Sequence, residues 1–91
     1  MKNKYKELLK EEISKSPISL QSKKLWYFFL ELGSLEECEA IYEAIYENED
    51  NLILLNTHLK NKLFDMKKEN KEVWNKTIQR NPDFAVLVKD Y

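Results

Sequence analysis

His58 and Cys38 are the only histidine and the only cysteine in the chain, so metal or thiol chemistry would have to start from them. A metal site needs several Cys, His or carboxylate ligands at workable spacing, and these two stand twenty residues apart. Carboxylates are abundant, but no acidic-x-acidic-x-acidic-Gly run offers a calcium loop. Cys38 shares helical spacing with Ile41, Tyr42 and Ile45, which marks it as a small inward-facing hydrophobe. A Cys38–His58 pair on adjacent helices would still lack an orienting third group and an oxyanion loop. A single glycine, Gly33, excludes a glycine-rich phosphate loop. Neighbouring carboxylates do acid–base work only in a pocket that moves their pKa values, and here they read as a solvated helix face. The expectation is a protein that is not an enzyme and uses no metal and no cofactor.

The carboxylates are more informative as a block. Between Ser34 and Asp50 the chain carries seven of them and no Lys or Arg. Residues 1–24 hold seven Lys against three Glu, and residues 51–91 hold eight basic against five acidic side chains. A formal net charge of -1 therefore conceals an acidic centre between basic flanks. Charge sorted by segment orders helices in a bundle or meets a charged partner.

The elements that must position these residues are helical. One Gly and two Pro in 91 residues leave too few turn formers for an all-β fold. Apolar residues recur at three- and four-residue steps: Tyr5, Leu8, Leu9 and Ile13, then Leu25, Phe28, Phe29 and Leu32, then Leu52, Leu55, Leu59, Leu63 and Met66. Ser16-Pro17 closes the first run, and Ser19 is placed to cap the second. Gly33 supplies a left-handed closing residue, and Ser34-Leu35-Glu36-Glu37 then spells a capping box. Asn48 or Asp50 can cap the next helix. The charged stretch 67–72 reads as a break, with one long helix through Gln79 as the alternative. The fold class is all-α: a single compact bundle of four to six short helices. Their approximate bounds are 4–14, 19–32, 35–47, 51–67 and 71–79, and 82–90 reads as helix or extended tail. Predicted core residues are Leu9, Leu25, Phe28, Phe29, Leu32, Ile41, Ile45, Leu55, Leu59, Leu63 and Trp74, with the second helix at the centre.

The longest apolar run, Leu25 to Leu30, is too short to span a bilayer. No leader-like segment opens the chain, and one cysteine fits a reducing compartment, so a cytoplasmic location is expected. Three functional expectations remain. The leading one is a small protein-binding module, a regulator, inhibitor or adaptor, that uses an acidic, tyrosine-bearing helix surface formed by Glu39, Tyr42, Glu43, Tyr46 and Glu47. The second is nucleic-acid binding through Lys60, Lys62, Lys67, Lys68, Lys71, Lys76 and Arg80, with Trp74 as a stacking ring. It is disfavoured by the single Arg and by the interleaved Asp65, Glu69 and Glu72. The third is a structural subunit, a homodimer joined through its C-terminal segment.

Overall fold

Local hydrogen bonds at the helix ends divide the chain. The computed structural model describes residues 4–91, and six helices follow one another: α1 (Lys4–Lys15), α2 (Leu20–Leu32), α3 (Leu35–Glu47), α4 (Asp50–Glu69), α5 (Lys71–Arg80) and α6 (Asp83–Leu87). Ser19 Oγ accepts from the Ser22 N–H at 3.1 Å and starts α2. At α3 both arms of the capping box form: Glu37 N–H donates to Ser34 Oγ, and Ser34 N–H donates to Glu37 Oε1, each at 3.1 Å. Each arm satisfies a donor that the helix itself leaves free.

Asn48, not Asp50, supplies the side chain at the start of α4, accepting from the Asp50 N–H at 3.0 Å. Asn51 Nδ2 donates back to the Ala44 carbonyl at 2.7 Å and ties α4 to the end of α3. Asn70 separates α4 from α5. Its N–H closes α4 on the Met66 carbonyl, while its Oδ1 accepts from Val73 N–H at 3.1 Å.

Two expected details differ. Gly33 is extended, at φ -72° and ψ 155°, and not left-handed. Ser34 follows it at φ -74° and ψ 164°, so two consecutive extended residues connect α2 to α3. What glycine provides there is room, since a Cβ would lie 3.2 Å from the Phe29 carbonyl oxygen. The last helix is also shorter than 82–90. Pro82 occupies its cap position without a side-chain bond, and the chain relaxes into turns after Leu87.

The helices close into an all-α compact bundle with a Cα radius of gyration of 12.6 Å, against about 12 Å for a folded chain of this length. α2 is central: it packs against α1, α4, α5 and α6 and buries Leu25, Trp26, Phe28, Phe29 and Leu30. Phe28 meets Trp74 edge-on at 4.8 Å and Phe84 at 4.9 Å. Offset and edge-to-face rings of this kind add about 0.5–1.5 kcal/mol per pair to the area they bury.

Leu32, Ile41 and Leu55, expected in the core, are half-buried. Ile13, Trp26, Leu30, Leu52 and Val88 are buried alongside the other predicted residues. Val88 enters because the C-terminal segment folds back on its own chain, where Tyr91 stacks on Phe64 at 4.8 Å. The Tyr91 hydroxyl is buried without a hydrogen-bond partner among the described residues. Burial raises its pKa above the ordinary 10.0. No helix among the described residues is long and apolar enough to cross a membrane.

Candidate functional site

α3 turns Cys38 and Ile45 into the core and is wedged along α1. A spacing of four places Tyr42 and Tyr46 one above the other, with ring centres 6.3 Å apart. Tyr5 of α1 meets Tyr42 at 5.9 Å, so three tyrosines run from one helix onto the next. Tyr42 is half-buried, whereas Tyr46 is 81% exposed. A shallow groove forms around them, lined by Tyr5, Ala40, Tyr42, Glu43, Ala44, Tyr46 and Glu47.

The structure thus brings together four of the five residues singled out from the sequence. Glu39, half-buried on the same helix, does not line the groove. Tyr5, Ala40 and Ala44 were not singled out. Tyr5 shares its periodicity with Leu8, Leu9 and Ile13, so nothing in its spacing separates a groove wall from a core residue.

The carboxylates of α3 fall into two groups. Glu37 pairs with Lys62 of α4 at 3.0 Å. Burial acts to raise its pKa, but the Ser34 N–H and the Lys62 ammonium outweigh that and hold it below the ordinary 4.5. Among the described residues Glu36, Glu39, Glu43 and Glu47 make no ion pair. Among the described residues no α1 lysine forms an ion pair with them: Lys15 pairs with Glu11 on its own helix at 2.9 Å, and Lys10 Nζ lies 6.0 Å from the Tyr27 ring centre.

The remaining candidates are placed apart. Cys38 is fully buried, and burial raises its thiol pKa above 9.0 against the opposing pull of Lys6. His58 is exposed on α4, at a second groove where Ile41, Leu55 and the Glu37–Lys62 pair surround Trp26 and Phe29. Cys38 does not line that groove. Among the described residues no three His, Cys, Asp or Glu side chains gather as a metal site would require.

The basic stretch 60–80 presents a different picture from its sequence. Trp74 is 2% exposed, beneath Lys67 at 5.6 Å, and is not available for stacking a base. Lys62 and Lys76 are paired with Glu37 and Glu72. Lys67 donates to the Tyr91 carbonyl. No protein-family model matches the chain, and neither a curated protein nor a solved structure shows significant similarity to it.

Proposed function

We propose that this chain is a small non-catalytic protein-binding module whose α3 surface docks a basic partner protein. The observation that carries this reading is the exposed Tyr46 beside Glu43 and Glu47, two carboxylates without ion-pair partners among the described residues. Tyrosine is a usual interface anchor because it offers a large rigid apolar area with a polar tip. Unpaired charge around it steers an oppositely charged partner and rejects like-charged ones. α3 is held on both sides, by its packing on α1 and by the Glu37–Lys62 link to α4, so little ordering entropy would oppose docking.

The test compares the chain with its Glu39→Lys, Glu43→Lys, Glu47→Lys triple variant in affinity capture from native lysate, read by mass spectrometry. The expected outcome is a partner retained by the chain and lost by the variant, with both showing the same helical circular dichroism. Equal capture by the folded variant would remove α3 as the docking surface.

A further inference from the structure

Among the exposed large apolar side chains of the described structure, Tyr46 is the most open to solvent. Among the described residues its ring neighbour is Tyr42, tilted at 35° with centres 6.3 Å apart, and the remaining ring surface, open to solvent, can receive a cation. Elsewhere this chain places its own lysines over rings, Lys10 over Tyr27 at 6.0 Å and Lys67 over Trp74 at 5.6 Å. Among the described residues no cation lies over Tyr42 or Tyr46. Glu43 and Glu47, one turn apart beside that ring, make no ion pair among the described residues. Ala40 and Ala44 keep the groove wall low, so an incoming side chain can lie flat.

We infer that this groove takes an arginine side chain of the partner protein, its guanidinium plane laid on the Tyr46 ring and its N–H fork turned to Glu43 and Glu47. The inference rests on the proposed docking role of α3 and specifies the chemistry it recognises. Arginine suits the site better than lysine because its planar, weakly hydrated cation stacks on rings and offers parallel donors to carboxylates. A second copy of this chain is the wrong occupant for an isologous contact, since it would bring carboxylates against carboxylates.

The experiment titrates the isotope-labelled chain by NMR with a short synthetic peptide carrying two arginines one helical turn apart, and with its lysine and citrulline counterparts. Shifts centred on Tyr42–Glu47 are expected, with affinity in the order arginine, lysine, citrulline. Tyr46→Phe should keep the arginine preference, whereas Tyr46→Ala should weaken the arginine peptide about two- to fivefold. Tyr46 is exposed, so both variants should fold, which circular dichroism checks. Equal affinity for arginine and lysine, an unaltered affinity in Tyr46→Ala, shifts elsewhere on the molecule, or no binding would each overturn the arginine seat. If partner capture is lost in the triple Glu→Lys variant but unaffected by Tyr46→Ala, the acidic docking face stands and the arginine seat alone falls.

Discussion

Trp26 shows how a polar atom is accommodated at the centre of this bundle. Its side chain is 2% exposed, yet Nε1 donates to Asn56 Oδ1 of α4 at 3.0 Å. A buried N–H that loses its acceptor incurs its full desolvation penalty, about 1–3 kcal/mol. Asn56→Ala should therefore lower stability by about that amount, read as a lower urea midpoint at unchanged slope. A loss below roughly 0.5 kcal/mol would show that another acceptor takes over. This pairing was not readable from the sequence. Trp26 stands in a run of four aromatics whose spacing gives no inward direction, and an asparagine thirty positions away carries no periodic signal. Tyr42 and Tyr46 present the same difficulty on a smaller scale. Their spacing places them on one helix face, but the position of α1 decides that one is half-covered and the other open.

At the scale of the helices, what was legible is what is local. Ser19, Ser34 and Asn70 each accept from the N–H three residues on. Such bonds depend on a few residues of sequence, so the starts of α2 and α3 follow from residue type and spacing, whereas the Asn70 cap decides between the one-helix and two-helix readings that the charged stretch leaves open. Gly33 was misread because the residue type that favours a left-handed cap also fits wherever a Cβ would be crowded. Its extended φ means that alanine meets no conformational penalty there. Gly33→Ala should gain about 0.4–1 kcal/mol by restricting the unfolded chain. Against this stands a Cβ 3.2 Å from the Phe29 carbonyl oxygen. The net change expected in thermal or urea unfolding lies within about 1 kcal/mol of zero. A left-handed residue would instead lose well over 1 kcal/mol on the same substitution, so one melt separates the two conformations. The fold-back of Tyr91 onto Phe64 of α4 and Trp74 of α5 is a tertiary event, although Phe84, Leu87, Val88 and Tyr91 already share one helical spacing.

For the whole molecule, the sorting of charge along the chain contributes little to its folding. Among the described residues one ion pair joins two helices, Lys62–Glu37 at 3.0 Å. Lys15–Glu11 and Lys76–Glu72 each lie within a single helix and are exposed. Pairs of this kind contribute about 0–1 kcal/mol each. The stabilising weight falls on the apolar core, where each fully buried Leu, Ile or Phe contributes about 1.5–3 kcal/mol before conformational entropy is counted. Salt should therefore act differently on folding and on docking. Raising sodium chloride from about 0.05 M to about 0.5 M shortens the screening length to a few ångströms. Unfolding free energy from urea titrations should then change by less than about 1 kcal/mol. Capture of a basic partner on α3 should weaken severalfold over the same range, because Glu43 and Glu47 are exposed and, among the described residues, unpaired. A bundle that lost stability in step with capture would mean that the acidic and basic segments hold each other in place. Their role would then be assembly of the fold, and the open carboxylates of α3 would no longer single it out as the docking face.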